Sequence, residues 1–396
     1  MPAFSRVHGP AECQTLPSFE FSTAHRIVFG TGSSSRIPEL TQALGDRVLL
    51  VTGAHPERLP DTITEGAGEV LRITGEPTFE QIQKALATVH QFKPEVILAA
   101  GGGSVLDAGK AMAMLATNPG NPLDYAEVIG AGRGIEHPSL PMIAIPTTAG
   151  TGSEVTRNSV LKSETHGVKV SLRHASMLPT VAVIDPTLTL SLPPRATATT
   201  GMDALCQCME PYLSCRANPF TDAYSREGIR RAARSLVRSY RHGDDLAART
   251  DLSLAALCSG IALANAGLGV VHGFAAAIGG RFNAPHGAIC ATLLPWAMEA
   301  NWSEAVALGR SDTLNRMQSM ARWLTGREAA TIADGIAWLH HLRDDLQTPA
   351  LSKYGITADH ADDLAETALR SSSMKGNPFP LSRNRMRDVL LEALAS

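Results

Sequence analysis

The sequence lacks the features that mark several large classes of protein. With 35 Lys and Arg against 38 Asp and Glu, its formal net charge is −3, so there is no excess of basic residues for binding a nucleic-acid backbone. Its six cysteines show neither a C-x-x-C pair nor a regular spacing, which indicates reduced thiols rather than a disulfide framework. The first residues contain no apolar segment typical of a secretory signal. We therefore expect a cytoplasmic protein that has no nucleic-acid or membrane partner.

Long stretches without charge are also rare. The longest, residues 252–280, contains no Lys, Arg, Asp or Glu and has the length of a membrane span. It also contains Asn265, His272 and several glycines, and no second span follows it. A helix that is apolar on all sides is equally typical of the centre of a large helical domain, and we predict that this segment is such a buried helix.

Short apolar runs alternate with helical patterns in the first half of the chain. The runs predict buried strands, and the helical spacing after Thr78 predicts a helix with that residue as its N-cap. Because the runs are continuously apolar rather than alternating, a parallel sheet covered by helices is expected. The predicted strands lie within residues 26–32 (an edge strand), 48–53, 96–103, 142–148 and 181–185, and the helix within 78–92.

The composition changes after Pro193–Pro194, and only helical patterns follow. They are clearest at residues 221–240, 313–324, 330–346 and 385–395. The predicted domains are a loose N-terminal extension (1–17), an α/β dinucleotide-binding domain with a parallel sheet (18–194) and an all-α domain (195–396). The active site is expected in the cleft between the last two domains.

Two polar turns follow predicted strands and are candidates for binding a phosphate-containing ligand. The first, GGGSVLDAGK (101–110), joins a strand to a helix whose free N–H groups would favour a pyrophosphate, although it is not the G-x-G-x-x-G fingerprint. The second, PTTAGTGSEVT (146–156), carries several hydroxyl groups. A tight connection and a polar surface loop are the alternatives, but two such turns at the carboxyl ends of neighbouring strands favour a ligand site.

Three side chains in the helical half are candidate metal ligands. Asp203 lies four residues before Gln207, so the two share one face of a helix, and His272 and His286 follow later in the chain. A single His in an apolar segment is more often a hydrogen-bonded core residue than a ligand, and a separation of thirteen residues between the two does not specify a shared face.

Taken together, these motifs resemble the iron-containing (group III) alcohol dehydrogenase family. The matching segments are ordered along the chain: FSTAHRIVFGTGS (21–33), GGGSVLDAGK (101–110), PTTAGTGSEVT (146–156), DPTLTLSLPP (185–194), TGMDAL (200–205), GLGVVHG (267–273) and APHG (284–287). The resemblance implies an N-terminal domain that binds NAD(P)H, a helical domain that binds a divalent metal (Fe, Zn or Mn), and a homodimer or higher homo-oligomer. Maleylacetate reductases, glycerol dehydrogenases and dehydroquinate synthases share this architecture.

The resemblance also implies roles for individual residues. A metal held by Asp203, Gln207, His272 and His286 would act as a Lewis acid, with Asp107, His272 and His286 at the catalytic centre. The cofactor would contact a larger set of residues: Gly53, Gly101, Gly102, Gly103, Ser104, Asp107, Thr147, Thr148, Thr151, Ser153 and Lys169.

Three positions depart from the family pattern. Gln207 stands where the usual ligand is His, and its neutral amide oxygen suits Mg²⁺ or Mn²⁺ better than Fe²⁺ or Zn²⁺. Cys206, three residues after Asp203, could reach part of the same helix face as a thiolate, but a core position is the favoured interpretation. Ala276 stands where iron-dependent members carry a proton-relay His, so the proton route is open, with a cofactor ribose hydroxyl and solvent as one candidate.

The third departure concerns the cofactor. Gly53 stands where members specific for NAD carry an Asp for the ribose 2′-hydroxyl, and the absence of that carboxylate predicts that NADP(H) is accepted. His55 and Arg58 are near enough in sequence to meet a 2′-phosphate.

Several activities are compatible with this pattern. The leading hypothesis is an NAD(P)-dependent alcohol dehydrogenase or carbonyl reductase that acts on a small alcohol, aldehyde or ketone with the help of a divalent metal. A maleylacetate reductase-like reduction of an unsaturated keto acid is the first alternative, although that branch usually has Asn in place of Asp203. A dehydroquinate synthase-like lyase and a non-catalytic nucleotide-binding protein are the remaining alternatives.

Overall fold

The computed structural model describes residues 18–127 and 129–395, so the predicted N-terminal extension lies outside the described residues. The strands in these residues are β1 (Arg26–Phe29), β2 (Val48–Thr52), β3 (Glu69–Arg72), β4 (Val96–Gly101), β5 (Met142–Pro146), β6 (Asn158–Ser163), β7 (Val168–Arg173) and β8 (Val181–Ile184). The helices of the first half are α1 (Ile37–Gln42), α2 (Asp61–Thr64), α3 (Phe79–Phe92) and α4 (Gly103–Leu115).

Six of the strands form one parallel sheet in the order β1-β8-β5-β4-β2-β3. After β2 the chain moves outward to β3, and after β4 it moves the other way to β5, so the direction of winding reverses between β2 and β4. Ligands in open α/β sheets bind outside the carboxyl ends of strands at such a reversal. The two predicted polar turns follow β4 and β5, which are hydrogen-bonded neighbours, and therefore lie at this edge of the sheet.

The predicted parallel sheet is confirmed, and its strands follow the apolar runs closely. β2, β4, β5 and β8 are buried at every position, as expected for strands covered on both faces. Three strands are not predicted: β3 is an edge strand with alternating burial, and β6 and β7 pair as an antiparallel hairpin outside the main sheet. Thr78 caps α3 as predicted, with its hydroxyl accepting from the Gln81 N–H.

The second half is helical throughout its described residues. Its helices are α5 (Pro194–Leu213), α6 (Pro219–Arg241), α7 (Leu246–Ala266), α8 (Val270–Arg281), α9 (His286–Ala307), α10 (Ser311–Thr325), α11 (Ile332–Asp345), α12 (Ala361–Arg370) and α13 (Arg383–Ala395). They enclose a core formed largely by α5, α8 and α9, in which Leu205, Phe274 and Leu293 are fully buried. The predicted combination of an α/β domain and an all-α domain is therefore correct.

The single helix predicted for residues 252–280 is wrong. The segment is divided between α7 and α8, because Gly267 has a φ of 76°, a left-handed value that ends α7 and that residues with side chains rarely adopt. The break allows α8 to start in a new direction and to carry His272 in its first turn. Among the described residues α7 alone is long and apolar enough to cross a membrane, but 67% of its most apolar window is buried inside the fold, as also occurs in core helices.

The loop after β5 connects the sheet to the helical half by direct backbone contact. A Cβ atom at Gly152 would lie 2.3 Å from the Cα of Gly260 in α7, and one at Gly150 would lie 2.6 Å from the Cβ of Thr200 in α5. Gly152 also has a φ of 60°, so both its conformation and its surroundings require glycine. The loop is thus held against the two helices that lead to the candidate metal ligands.

A buried arginine holds the junction between the two halves. The Arg249 side chain is fully buried and donates hydrogen bonds to the carbonyl of Leu192 (3.1 Å), the hydroxyl of Thr197 (2.8 Å) and the carbonyl of Gly243 (2.8 Å). Leu192 directly precedes Pro193–Pro194, and Thr197 lies in the first turn of α5. Because a buried charge is stable only when its donors are satisfied, these acceptors fix the path of the chain at this point.

A second buried cation lies beside the polar loops. Lys110 is completely buried and donates to Ser153 O, Thr156 Oγ1 and Asn158 O, while its ammonium group lies 3.0 Å from Asp107 Oδ1. The neighbouring Glu154 is also buried, and burial raises its pKa to about 7, against the opposing effects of its backbone hydrogen bond and of Lys110.

The titration of Glu154 predicts how stability depends on pH. Its folded pKa lies above the ordinary value of 4.5, so the folded protein binds a proton more tightly than the unfolded chain. The contribution of Glu154 to stability is therefore greatest below pH 4.5, falls as the pH rises towards 7, and stays low above that. Glu154→Gln should stabilise the protein by about 1–3 kcal/mol at pH 8 and change it little at pH 4.5.

Unfolding midpoints measured between pH 4.5 and 8 check this prediction. The exposed residue Glu164 supplies the control, because Glu164→Gln should shift the midpoint equally little at every pH. A stabilisation by Glu154→Gln that did not depend on pH would contradict the assigned titration.

Candidate active site

Helix α5 carries the first candidate ligand into the core of the helical domain. From Gly201 to Pro211 every residue of this helix is buried, including Asp203 and Gln207. A buried carboxylate without a hydrogen-bond partner is strongly unfavourable, yet Oδ1 of Asp203 has no hydrogen bond in the described structure. This oxygen needs a cation, and the surroundings of Asp203 show where one fits.

Two imidazole nitrogens point towards the unpaired oxygen. His272 Nε2 lies 3.3 Å and His286 Nε2 lies 3.5 Å from Asp203 Oδ1, although neither contact has the angles of a hydrogen bond. His272 is in the first turn of α8, and His286 is the first residue of α9. The structure therefore brings together the three ligands predicted from the sequence, at the point where α5, α8 and α9 meet.

A fourth donor, not predicted from the sequence, completes this group. Cys290 lies one turn after His286 on α9 and is buried; its Sγ is 3.7 Å from His286 Nε2 and 3.9 Å from His272 Nε2. Donor atoms of Asp203, His272, His286 and Cys290 all lie within 4.8 Å of one another. The i, i+4 spacing from His286 was a signal in the sequence, but the resemblance directed attention to His positions alone.

The orientation of His272 is fixed by a carboxylate that the sequence analysis also missed. Glu210, seven residues after Asp203 on the same face of α5, accepts from His272 Nδ1 at 2.7 Å and from the Val271 N–H at 2.7 Å. With one proton held on Nδ1, Nε2 is the nitrogen that would bind a metal, and it faces Asp203 and Cys290. A carboxylate behind a ligating His is a common arrangement at metal sites.

Cys206 lies near the other nitrogen of the same imidazole. Its Sγ is 3.8 Å from His272 Nδ1, the nitrogen that faces Glu210, and its side chain is fully buried. Burial and the neighbouring Cys290 raise the pKa of Cys206 well above its ordinary value. The predicted core position of Cys206 is thus what the structure has, and its sulfur is a neutral thiol.

The charges of the group fit a divalent cation. Burial alone would raise the pKa of Asp203, but His286 and His272 hold it well below its usual range. Burial likewise opposes ionisation of Cys290, yet its hydrogen bond with Cys206 and the two imidazoles keep its pKa well below that of an ordinary thiol. The anionic neighbours outweigh desolvation at the imidazoles as well: they raise the pKa of His286 to about 10 and that of His272 well above its ordinary value. A divalent cation carries the same charge as the two imidazole protons that it would displace, so the residues present fit a metal.

Gln207 has a partner that competes with metal binding. Its Oε1 lies 3.0 Å from the hydroxyl of Ser259 on α7, and that hydroxyl is also 2.8 Å from the carbonyl of Ala256. Gln207 remains on the same helix face as Asp203, as its spacing predicts, and its role as a ligand stays a prediction.

The glycine turn of the predicted cofactor site packs tightly against the second polar loop. A Cβ at Gly103 would lie 2.7 Å from the Thr151 side chain, and one at Gly102 would lie 3.3 Å from Thr148 Cγ2. Gly101 is restricted by Val105 at 2.5 Å. Helix α4 starts at Gly103 without a side-chain cap and without an acidic residue in its first turn, so this end is suited to an anion. Ser104 lies in the same first turn, and Thr147 is hydrogen-bonded to Gly101 O.

Asp107 is engaged within the protein on both oxygens. Oδ1 accepts from Ser153 Oγ at 2.5 Å and lies beside Lys110, and Oδ2 accepts from the Val160 N–H at 2.9 Å. These bonds hold the 146–156 loop and strand β6 against α4. The structure gives Asp107 and Ser153 a positioning role here, and their contact with a cofactor stays a prediction.

The remaining predicted cofactor residues, Lys169 and Gly53, lie on the β6–β7 hairpin and directly after β2. Lys169 on β7 pairs with Glu76 at 2.5 Å, and its Nζ passes close to Gly279 on α8. Gly53 follows β2, and a Cβ there would meet only Val105 Cγ2, at 3.9 Å. His55 is exposed and pairs with Glu57.

An open cavity of about 670 Å³ lies beside β2 and β3 and is lined by residues such as Leu50 and Arg72. None of the residues predicted to bind the metal or the cofactor lines it.

Comparisons with known proteins agree with this architecture. Residues 24–186 match the model of the iron-containing alcohol dehydrogenase family, and residues 197–394 match the C-terminal model of the Fe-containing alcohol dehydrogenase family. The chain is 36% identical over 320 residues to the probable alcohol dehydrogenase EutG of Salmonella typhimurium (81% of this chain, 78% of that one). It is 32% identical over 374 residues to 1,3-propanediol dehydrogenase of Klebsiella pneumoniae (91% and 95%). A crystal structure of 1,3-propanediol oxidoreductase superposes with a TM-score of 0.87 at 30% identity, covering 95% of this chain and all of that one.

The position of Glu210 generates a prediction for metal binding. Glu210→Gln replaces the anionic acceptor of His272 by a neutral amide, which lowers the basicity of the imidazole and relaxes its orientation. The affinity for a divalent metal should fall about 10- to 100-fold. Competition with a chromogenic chelator measures the affinity, and Glu304→Gln at the far end of α9 is the control. An unchanged affinity in Glu210→Gln would show that the His272 ring is oriented by its packing alone.

Proposed function

Because the chain belongs to the iron-containing alcohol dehydrogenase family, we propose that it transfers a hydride between NAD(P) and a small alcohol, aldehyde or ketone. The family makes it an alcohol oxidoreductase; the nicotinamide cofactor and the direction towards carbonyl reduction are the proposed parts. The observation that carries the proposal is the unpaired Asp203 oxygen, surrounded by His272, His286 and Cys290, at the end of helices that also contact the 146–156 loop.

The cofactor is proposed to lie at the carboxyl edge of the sheet. Backbone N–H groups at the start of α4 would bind its pyrophosphate, and the hydroxyls of Thr147, Thr148 and Thr151 would line its path towards the helical domain. Lys169 is supported as a contact by its position beside α8, although Glu76 now holds its ammonium group. The nicotinamide ring would then face the candidate metal ligands, Asp203, His272 and His286, across the interdomain cleft.

The metal would be held by Asp203, His272, His286 and a fourth ligand. When bound, such a cation supplies a Lewis acid that polarises the oxygen of the alcohol or carbonyl group. Glu210 keeps the His272 imidazole in the tautomer that binds, and the buried helices α5, α8 and α9 exclude water from three sides. Iron, zinc and manganese remain candidates for the ion.

Proton transfer is proposed to involve solvent rather than a protein relay. Ala276 takes the place of the family's relay His, and it is exposed although both of its neighbours in α8 are buried. The His286 side chain is 38% exposed. Water can therefore reach this part of the site and take up or supply the proton, with a cofactor ribose hydroxyl as an intermediate carrier.

A panel assay tests the proposed activity. We expect NADPH or NADH to be oxidised in the presence of small aldehydes or ketones, and the rate to fall after treatment with EDTA and to return when a divalent metal is added. Oxidation that requires an unsaturated keto acid and survives EDTA would instead identify the maleylacetate reductase-like activity. No oxidation of either cofactor with any substrate would contradict the proposal.

Gly53 generates a prediction for cofactor preference. Its φ is not in the left-handed region and the space around it is open, so Gly53→Asp should fold normally. The new carboxylate would accept hydrogen bonds from the ribose 2′-hydroxyl of NADH and repel the 2′-phosphate of NADPH. The ratio of kcat/KM for NADPH to that for NADH should fall about 10-fold or more.

Gly53→Asn is the matched control, because it adds nearly the same volume without the charge. Steady-state rates with both cofactors measure the ratio in the three proteins. Equal effects of Asp and Asn would show that bulk rather than charge controls this position, and a strong preference of the unsubstituted enzyme for NADH would contradict the assignment of Gly53.

A further inference from the structure

The fourth ligand of the metal site is not provided by the residue that the family pattern indicates. The inference below rests on the proposed function, because it assumes that a divalent metal binds beside Asp203. Gln207 offers a neutral oxygen with Ser259 as a competing partner, whereas a sulfur atom lies inside the donor group itself. We propose that Cys290 is the fourth metal ligand of this protein, in place of the His that Gln207 replaces.

The distances between donors support a tetrahedral set that includes Cys290. With metal–N and metal–O bonds of about 2.0–2.1 Å and a metal–S bond of about 2.3 Å, tetrahedral geometry requires about 3.3–3.4 Å between N and O and about 3.6 Å between N and S. The observed distances from Asp203 Oδ1 are 3.3 Å to His272 Nε2 and 3.5 Å to His286 Nε2. Those from Cys290 Sγ are 3.9 Å to His272 Nε2 and 3.7 Å to His286 Nε2. These four separations lie within a few tenths of an ångström of the tetrahedral values.

The sulfur is positioned by rigid elements rather than by a loop. His286 and Cys290 are one turn apart on α9, so both face the same side of that helix. Cys290 is fully buried, as are its neighbours Ile289 and Ala291. A small movement of side chains, without a shift of the backbone, would complete the coordination.

The other nearby thiol does not qualify. Cys206 lies on the Nδ1 side of His272, where Glu210 already occupies the ring nitrogen, while the candidate metal position lies on the Nε2 side. Cys206 is therefore a natural control: it is a second buried cysteine beside the same imidazole and is hydrogen-bonded to Cys290, but it is not one of the donors grouped around Asp203.

Replacing a His by a Cys changes which metal the site prefers. Thiolate and imidazole are ligands of zinc and cobalt, whereas an amide oxygen would favour magnesium or manganese. The set Asp203, His272, His286 and Cys290 therefore predicts a larger preference for Zn²⁺ over Mn²⁺ than the set with Gln207 in place of Cys290.

Cobalt substitution tests the ligand directly. Metal-free protein is loaded with Co²⁺, and the near-ultraviolet spectrum is searched for the intense thiolate-to-cobalt absorption. We expect this band in the unsubstituted protein and in Cys206→Ser, and its loss in Cys290→Ser. Zinc affinity from chelator competition should fall at least 10-fold in Cys290→Ser and change less than about threefold in Gln207→Ala.

The outcomes separate the ligand from the proposed function. Tight Co²⁺ binding without the band in the unsubstituted protein would overturn the role of Cys290 and leave the metal-assisted function intact; because this measurement uses no variant, it does not depend on whether Cys290→Ser folds. A larger loss of affinity in Gln207→Ala than in Cys290→Ser would overturn the proposal in favour of Gln207. Full carbonyl reduction by protein that binds neither Co²⁺ nor Zn²⁺ would instead contradict both the metal-assisted function and the ligand.

Discussion

The active site depends on the close approach of two backbone segments, at Gly152 and Gly260. Neither position has space for a side chain, and the contact seats the loop after β5 directly on α7. The same loop packs through Thr148 and Thr151 against the start of α4 and through Gly150 against α5. The turn proposed for the pyrophosphate and the helix with Asp203 are consequently supported by one loop, and their relative position is fixed by glycine contacts rather than by long side chains.

Negative charge at the junction of α5, α8 and α9 is the second constraint. Asp203, Glu210 and Cys290 are all buried within a short distance of His272, in an interior that would otherwise reject any of them. Such an arrangement is stable only with compensating positive charge, from imidazole protons or from a cation. Burying these groups at the centre of the helical domain is electrostatically unfavourable. Such clusters of buried ionisable groups are typical of functional sites.

Much of the fold could be predicted because the strands that form it are uniformly apolar. β2, β4, β5 and β8 were recognisable since they are buried on both faces, and the cap at Thr78 marked α3. Strand β3 and the β6–β7 hairpin were missed because their alternating polar residues resemble those of loops. The break between α7 and α8 was missed because hydrophobicity continues across Gly267 and only the backbone changes direction there.

The site was predictable where the resemblance named residues, and not where this chain differs. Asp203, His272 and His286 converge as expected. Glu210 and Cys290 were overlooked because their roles depend on which face of α5 and α9 points inward, which the almost continuous burial of both helices conceals. Glu210 lies seven residues after Asp203, and Cys290 lies four residues after His286. These spacings would have identified both residues if the ligand-bearing faces of the two helices had been known.

The buried guanidinium of Arg249 has a consequence for recombining this protein with its relatives. The prolines at 193–194 resemble a linker at which one half of the chain could be exchanged for another. Yet the carbonyl of Leu192, which lies on the sheet side of that point, helps to solvate a cation that belongs to the helical side. A chimera joined at these prolines would keep the buried Arg249 guanidinium but could lack the carbonyl that accepts its hydrogen bond. The crossover should therefore lie outside the segment that Arg249 contacts, although the prolines themselves resemble a domain linker.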